Sequence, residues 1–320
     1  MRVRLIHRAL AVLAALVLTS CGGAAATNSG RIKVQLAVPT KGIHILPYYL
    51  GQEKGVFAAQ GVDLDIQVLQ ANTAIAAIIN GSVDFSAAGG SAMRAAMEGS
   101  PARVVFVTVG KPDSFVYAKP DLSAVSGLKG KNLAITSVAG SPAVMAKNIL
   151  RANGLDADKD VKLVATETTN NAFAALKAGA VEAAILDPPY NTMAANAGFH
   201  LLAQGSDYLK GTQTQLATSV KTIQSDPEKV RRMLRGSLKA IDYTLKHEDE
   251  AVGFISKTWD LSPDDARGTF QTVADALLRN GLPPVDALQA DLGPDATAAD
   301  VDRVTDFSLL RQVQAELGIK

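Results

Sequence analysis

Cysteine, histidine and aromatic side chains are scarce in this sequence. Its 320 residues include one cysteine, Cys21, one tryptophan and four histidines, and aromatic residues make up 5% of the chain. A single cysteine cannot close an intramolecular disulfide. The histidines show no spacing to carboxylates that is typical of a metal site. We therefore expect neither a disulfide scaffold nor a metal.

An excess of one charge and long apolar runs are also lacking. Lys and Arg number 32 against 31 Asp and Glu, so the formal net charge is +1. Nucleic acids and anionic membrane surfaces attract basic faces, and neither partner is predicted here. No apolar run reaches the ~20 residues of a membrane-spanning helix. The Gly-x-Ser-x-Gly elbow and the phosphate-binding Gly-Lys-Ser/Thr pattern are missing too, and we expect no cofactor.

The N-terminal residues have the pattern of an export signal. Arg2, Arg4 and Arg8 precede an apolar stretch over 9–18, and Leu18-Thr-Ser-Cys21 follows. This ending resembles the lipobox of bacterial lipoproteins, which implies that Cys21 is lipidated and becomes the new N-terminus. An ordinary signal peptide with a chance cysteine is the alternative.

We accordingly predict a lipoprotein signal peptide over 1–20 and a flexible tether over 21–30, rich in small and polar residues. Loss of the first 20 residues removes three arginines, which leaves a net charge of −2. Lipidation of Cys21 also leaves no free thiol for catalysis or metal binding. The predicted location is a membrane surface that faces the periplasm or the cell exterior.

Apolar strand patterns alternate with helical patterns from Arg31 to about Gln204. Glycines such as Gly61, Gly81 and Gly99 end the helical patterns. Short apolar strands separated by helices indicate parallel α/β sheets. From Asp226 onward the pattern is almost wholly helical.

The helical C-terminal part has clear start signals and apolar stripes. Asp226-Pro-Glu and Ser262-Pro-Asp are typical helix starts. After the first of them, apolar residues recur at helical spacing at Val230, Leu234, Leu238, Ile241 and Leu245. A partner-binding surface is one interpretation of this stripe, and core packing is the one we prefer.

A faint internal repeat joins two parts of the chain. Residues 72–84 and 170–182 share six identical residues and a conserved acid at a constant offset of 98. The repeated unit is a helix, a glycine stop and a buried strand. Although alanine-rich helices resemble one another by chance, the glycine and the Val-acid pair favour two similar α/β lobes.

Candidate binding residues come from the loops that follow strands. In parallel sheets, ligands bind beyond the carboxyl ends of the strands and near helix N-termini. Glycine allows close approach to the backbone, and serine and proline suit helix starts. This rule selects Thr40, His44, Gly89, Gly90, Ser91, Ser137, Gly140, Ser141, Asn170, Asp187 and Tyr190.

Several of these residues have a second interpretation. His44 is a ligand contact or a solvent-facing loop residue, and Asp187 accepts a hydrogen bond from a ligand or caps its own turn. Tyr190 offers a ring for stacking, while Asn170 caps a helix or donates to a ligand. Arg94, close behind Ser91, opposes the helix dipole. We interpret Arg94 as solvent-exposed, with compensation by an anionic ligand as the alternative.

Longer segments carry a family resemblance. Pro47-Tyr-Tyr-Leu-Gly-Gln-Glu-Lys-Gly-Val-Phe57, Gly81-Ser-Val-Asp-Phe85, Leu128-Lys-Gly-Lys131 and Val181-Glu-Ala-Ala-Ile-Leu-Asp-Pro-Pro189 occur in order. They resemble solute-binding proteins for nitrate, sulfonates, taurine and thiamine-pyrimidine precursors. The resemblance implies an α/β, two-lobed periplasmic-binding-protein fold of type II. Each lobe would be a mixed, mainly parallel sheet flanked by helices, with extra C-terminal helices on lobe 1.

The same resemblance implies how the chain is divided. Lobe 1 would comprise residues 31–114 and 216–320, and lobe 2 residues 115–215, with crossings near Phe115–Tyr117 and Leu216–Thr218. Such proteins hinge shut on a solute and deliver it to an ABC permease. Pyrimidine synthases of this fold use a histidine and a cysteine-rich motif for iron chemistry, but this chain has no spare cysteine.

The sequence therefore predicts a lipid-anchored, monomeric solute-binding protein of an ABC importer, with no catalysis. Its ligand would be a small polar or anionic organic solute of the sulfonate, nitrate, taurine or pyrimidine-precursor type. A lipid-anchored enzyme on the same fold and a ligand sensor for a membrane receptor are the alternatives. Adjacent permease and ATPase genes would distinguish import from sensing.

Overall fold

Two five-stranded sheets organise the part of the chain that a computed structural model describes, residues 30–138 and 141–319. The predictions for residues 1–29, including Cys21, lie outside the described residues, as does Gly140. The strands of the first sheet are β1 (Ile32–Val38), β2 (Val62–Val68), β3 (Phe85–Ser86), β4 (Ala102–Val109) and β10 (Thr214–Ser219). Their order is β2-β1-β3-β10-β4. β1 is parallel to β2 and β3, and β10 runs antiparallel to β3 and β4.

The second sheet repeats this arrangement. Its strands are β5 (Phe115–Ala118), β6 (Asn132–Ile135), β7 (Lys162–Ala165), β8 (Ala183–Leu186) and β9 (His200–Gln204), in the order β7-β6-β8-β5-β9. β6 is parallel to β7 and β8, whereas β5 is antiparallel to β8 and β9. In both sheets the one antiparallel strand takes the fourth place, between two strands that run opposite to it.

Helices flank both sheets and define two lobes. Lobe 1 combines the first sheet with α1 (Leu46–Glu53), α2 (Val56–Ala59), α3 (Ala71–Asn80), α4 (Gly89–Met97), α8 (Val220–Ser225), α9 (Pro227–Lys246), α10 (Glu248–Trp259), α11 (Pro263–Ala276), α12 (Val285–Leu292), α13 (Ala298–Val304) and α14 (Ser308–Leu317). Lobe 2 combines the second sheet with α5 (Ser141–Ala152), α6 (Thr169–Lys177) and α7 (Tyr190–Asn196). Mixed sheets flanked by helices, with the C-terminal helices on lobe 1, confirm the predicted fold class.

The predicted helix starts and apolar stripe of the C-terminal part are confirmed. Asp226 accepts a hydrogen bond from the N–H of Lys229 at 3.1 Å, and Ser262 accepts one from the N–H of Asp265. The stripe on α9 packs into the lobe 1 core with Phe57 and Phe106 and with residues of α10 and α11. The core interpretation of the stripe is therefore correct, since a partner-binding surface would be exposed.

The internal repeat has a structural explanation. α3 and β3 correspond to α6 and β8, and both strands take the third place in their sheets. The conserved acid does the same work in each lobe. Asp84 accepts from the N–H of Gln35 at 2.8 Å, and Glu182 accepts from the N–H of Asn132 at 3.0 Å. Each carboxylate thereby satisfies a backbone donor at the start or middle of the neighbouring strand, which a buried ladder requires.

The chain passes between the sheets twice, through residues 110–114 and 205–213. C-terminal helices hold both connecting segments to lobe 1. The N–H of Gly110 donates to the carbonyl of Ala276 at 2.8 Å, and Lys210 pairs with Asp286 at 2.8 Å. The predicted crossings at 115–117 and 216–218 fall within β5 and β10. The domain division by residue number stays a prediction.

Candidate functional site

A cavity of about 650 Å³ opens at the strand ends of both lobes. Its wall includes the residues that directly follow β1, β3, β6 and β8, which is where ligands bind in α/β sheets. Both connecting segments and the end of α12 complete it. The lining residues are Pro39, Ala71, Ala87–Ser91, Arg94, Pro112, Ser114, Thr136, Pro142, Val144, Met145, Ile185, Asp187, Leu209–Gln213, Gln215, Ala290, Asp291, Gly293 and Pro294.

The N-terminus of α4 forms one side of the cavity, and its two glycines have different tasks. A Cβ on Gly89 would lie 2.4 Å from the Cβ of Gln215, so glycine is required for the helix to approach β10. A Cβ on Gly90 would meet its nearest neighbours, atoms of Arg94 and Gln215, at 3.8 Å. Gly89 therefore serves packing, while Gly90 leaves open space beside two polar side chains.

The start of α4 differs from the predicted serine cap. Ala88 occupies the N-cap position without a side-chain hydrogen bond, and Ser91 is the third residue of the helix. Because the chain turns into the helix before Ser91, this hydroxyl instead accepts from the guanidinium of Arg94 at 3.1 Å. In the described residues the N–H groups of Gly89 and Gly90 have no acceptor. Such free donors are a property of helix starts and favour anions.

Asp187 is the acidic side chain that lobe 2 places on the cavity wall. Ser114, in the first connecting segment, donates to one carboxylate oxygen, and Thr169 donates to the other at 3.3 Å. Burial raises the pKa of this carboxyl, since the ionised form is poorly solvated there, while the hydrogen bond from Ser114 opposes the shift. Asp187 thus joins lobe 2 to the segment between the lobes.

His44 lies behind the cavity wall, in a short 3₁₀ turn before α1. Its Nε2 is 2.6 Å from a carboxylate oxygen of Asp113, whose side chain is 2% exposed. Burial disfavours the imidazolium, but the carboxylates of Asp113 and Asp187 outweigh it and raise the pKa of His44 above 6.5. In the described residues, the other oxygen of Asp113 has no hydrogen-bond partner. His44 therefore holds the first connecting segment to lobe 1.

A second carboxylate, Asp291 of α12, lies on the lobe 1 side of the cavity. It accepts from the N–H of Thr212 at 3.0 Å and from the Thr212 hydroxyl at 2.5 Å. The side chain of Gln215 also donates to it, at 3.2 Å. Burial raises the pKa of the Asp291 carboxyl, and these hydrogen bonds oppose the shift.

Four of the candidate residues, Gly89, Gly90, Ser91 and Asp187, line the cavity together. The others in the described part of the chain do not line it. Thr40 and Asn170 are exposed, Ser137 follows the lining residue Thr136, and Tyr190 packs against Phe173 with ring centroids 5.9 Å apart. Gly140 and the side chain of Ser141 lie outside the described residues. The binding role of the whole set stays a prediction.

The sequence gave no local signal for several cavity residues. Ser114, Thr212 and Gln215 lie in or beside the connecting segments, and Asp291 comes from a C-terminal helix about 80 residues downstream of Thr212. Arg94 is exposed, as we interpreted it, and it also lines the cavity. A helical position three residues after Ser91 was the available signal for Arg94.

Metal and membrane features can be judged only for residues 30–138 and 141–319. In that part, no three His, Cys, Asp or Glu side chains are placed to share a metal ion. None of its helices combines the length and the apolar character needed to cross a bilayer. The expectations of no metal and no cofactor stay predictions.

Two mixed sheets that share a cavity at their strand ends define the periplasmic-binding-protein architecture. Residues 43–251, more than half of the sequence, match the model of the NMT1/THI5-like family. The chain belongs to this family, as its motifs predicted.

Solved structures of this architecture are similar over most of the chain. The nitrate-binding protein NrtA from Synechocystis PCC 6803 has a TM-score of 0.68 at 15% identity, and covers 90% of this chain and 89% of its own. The aliphatic sulphonate-binding protein SsuA from Escherichia coli has a TM-score of 0.67 at 17% identity, with coverage of 86% and 92%. At these identities the likeness establishes the fold.

A curated relative is also similar in sequence. The riboflavin-binding protein RibY of Chloroflexus aurantiacus is 26% identical over 226 residues, which are 65% of this chain. The chain spans 61% of the length of that relative.

Proposed function

We propose that this protein is the solute-binding component of an ABC importer and works outside the cytoplasm. It captures one small polar or anionic organic solute in the cavity between its lobes and presents it to a membrane permease. The sulfonate, nitrate, taurine and pyrimidine-precursor types remain the proposed solute range. Family membership supports this function, and so do the printed functions of the fold relatives, which are nitrate, sulphonate and riboflavin binding.

The observation that carries the proposal is the composition of the cavity wall. Lobe 1 contributes the start of α4, lobe 2 contributes Asp187, and the connecting segments contribute Ser114 and Thr212. A solute that contacts both lobes binds the closed arrangement better than the open one, and so favours closure by its differential affinity. The proposed division into lobe 1 (31–114 and 216–320) and lobe 2 (115–215) follows from this hinge.

We propose that the protein acts as a monomer and has no catalytic role. The histidine nearest the cavity, His44, is paired with Asp113 and does not line the wall. A general base must reach a bound molecule directly or through one water. Turnover of a bound solute by the purified protein would favour the enzyme alternative instead.

Solute binding can be tested by thermal shift with a library of sulfonates, nitrate, carboxylates, flavins and pyrimidines. A solute at 100 times its Kd should add ~2.7 kcal/mol to the free energy of unfolding. For any solute that binds, Val144→Trp should lower the affinity at least tenfold, because this half-exposed residue lines the cavity and an indole would fill it.

Val285→Trp is the matched control. Val285 is 50% exposed, against 48% for Val144, and it begins a helix without lining the cavity. Its substitution should leave the affinity unchanged in calorimetry. Equal affinities of the two variants would contradict the proposed site, and a library without any binder would contradict the function.

Lipid anchoring through Cys21 is the proposed means of retention at the membrane. Stable anchoring requires two lipid signals, because one acyl chain binds only marginally. In cell fractionation, the wild-type protein should sediment with membranes and the Cys21→Ala variant should not. Membrane association that survives this substitution would show that another feature holds the protein there.

A further inference from the structure

The charged side chains of the cavity wall are unevenly paired. Lys210 is 2.8 Å from Asp286, so its charge is compensated outside the cavity. Arg94 has no carboxylate partner in the described part of the chain, and its guanidinium is bonded to the hydroxyl of Ser91. Of the described lining residues, Arg94 is therefore the cation whose charge remains uncompensated.

The position of this guanidinium is unfavourable without an anion. Its hydrogen bond to Ser91 directs the side chain back toward the N-terminus of α4, which carries a partial positive charge. The space beside Gly90 is next to it, since a Cβ there would lie 3.8 Å from Nη1 of Arg94. The free N–H groups of Gly89 and Gly90 belong to the same helix start. An oxyanion at this point would meet a bidentate guanidinium, a hydroxyl and main-chain donors together.

The remaining charges of the wall are negative. Asp187 lies on the lobe 2 side, and Asp291 lies on the lobe 1 side. Both carboxylates are oriented by hydrogen bonds from Ser114 and Thr169, or from Thr212 and Gln215. A second anionic group in the cavity would be repelled by them, whereas an amine or a ring N–H could donate to their free lone pairs.

We propose that Arg94 selects solutes with a single oxyanion group, a sulfonate or a carboxylate, on a neutral or zwitterionic body. This inference rests on the proposed solute-binding function and narrows its substrate class. The oxyanion binds Arg94 and Ser91 at the start of α4, and the rest of the solute extends toward Asp187. Dianions of similar size are excluded by the two carboxylates.

The test uses purified protein and six probes of graded charge in calorimetry. Benzenesulfonate, benzoate and ethanesulfonate are monoanions, and 2-aminoethanesulfonate is a zwitterion. Benzamide is neutral, and benzene-1,3-disulfonate is a dianion. At least one monoanion or the zwitterion should bind at least tenfold more tightly than benzamide and the disulfonate. Arg94→Gln should weaken that binding at least tenfold, because it removes the charge-assisted hydrogen bonds. Arg94→Lys should restore part of the affinity.

Arg311→Gln provides the charge-matched control. Arg311 is an exposed arginine on α14 that does not line the cavity, and its substitution should leave the affinity unchanged. Equal melting temperatures of the variants would show that Arg94→Gln acts on binding rather than on folding.

Three results would overturn the inference. They are tight binding of the disulfonate, unchanged binding of a monoanion by Arg94→Gln, and no binding of any monoanion or zwitterion. A neutral solute from the library that is blocked by Val144→Trp and unaffected by Arg94→Gln would overturn this inference alone. The solute-binding function would remain in that case, so the two failures are distinguishable.

Discussion

Replacement of His44 by alanine is expected to lower the free energy of unfolding by about 3–5 kcal/mol at pH 6, because it leaves the buried carboxylate of Asp113 without its partner. Asp113 lies in the first connecting segment, and its described hydrogen bond is the one to His44. Uncompensated buried charges are far more costly than exposed ones. Urea denaturation of the wild type and the variant at pH 6 measures the difference.

The same pair predicts a pH dependence of stability. The pKa of His44 is raised in the folded protein, so the stability that its positive charge contributes is fully present below pH 6.5. That contribution is lost as the pH rises through the folded-state pKa, above 6.5. His44→Gln keeps a donor for Asp113 but has no charge to titrate. The stability difference between the wild type and His44→Gln should therefore shrink from pH 6 to higher pH.

A difference that is constant across this pH range would contradict the ion pair between His44 and Asp113. A loss below 1 kcal/mol in His44→Ala would mean that water or movement of the segment compensates the carboxylate, at roughly the level of an exposed pair. His247 offers a control, because its ring contacts Tyr243 at the exposed end of α9. His247→Gln should not reproduce the pH effect.

The second large effect is expected from the two glycines of α4. In Gly89→Ala, the new methyl group would lie 2.4 Å from the Cβ of Gln215 and 2.6 Å from its carbonyl oxygen. Since the carbonyl belongs to a paired strand, α4 itself must move away, and overpacking of this kind costs about 1–3 kcal/mol. We expect a corresponding fall in the free energy of unfolding, measured by urea denaturation.

Gly90→Ala is the matched comparison one residue further along the same helix. Its methyl group would have no neighbour closer than 3.8 Å, and alanine is favoured over glycine in a helix by up to ~1 kcal/mol. This variant should be as stable as the wild type or more stable. The same methyl group projects beside Arg94 and Gln215, so solute affinity should fall although stability does not. Similar destabilisation in both variants would refute the close packing of Gly89 on β10.

The internal repeat shows how far the fold could be predicted. Helix, glycine stop and strand recur at an offset of 98 residues, and the structure places both strands third in their sheets. The acid of the repeat was visible but its reason was not. Asp84 and Glu182 bond backbone N–H groups about 50 residues away, so their role depends on which strand becomes the neighbour.

The candidate site was predictable where it depends on one rule of α/β sheets. Loops after strands supplied Gly89, Gly90, Ser91 and Asp187, and these residues line the cavity. The rule does not say in which direction a side chain points. Tyr190 follows Asp187 closely, yet it packs against Phe173 within lobe 2. Asp291 was not predictable, because no local pattern relates α12 to the second connecting segment.

Strand and helix alternation, glycine stops, helix caps and the doubled α/β unit were determined by the sequence alone, because each depends on residues a few positions apart. The family motifs likewise lie within short segments. Tertiary structure decided which polar groups meet in the cavity, because Ser114, Arg94, Asp187 and Asp291 come from four separate segments. It also decided which glycine packs and which one faces open space. Those outcomes depend on the distance between a helix and a strand that are over 120 residues apart in the chain, and neighbouring residues carry no record of that distance.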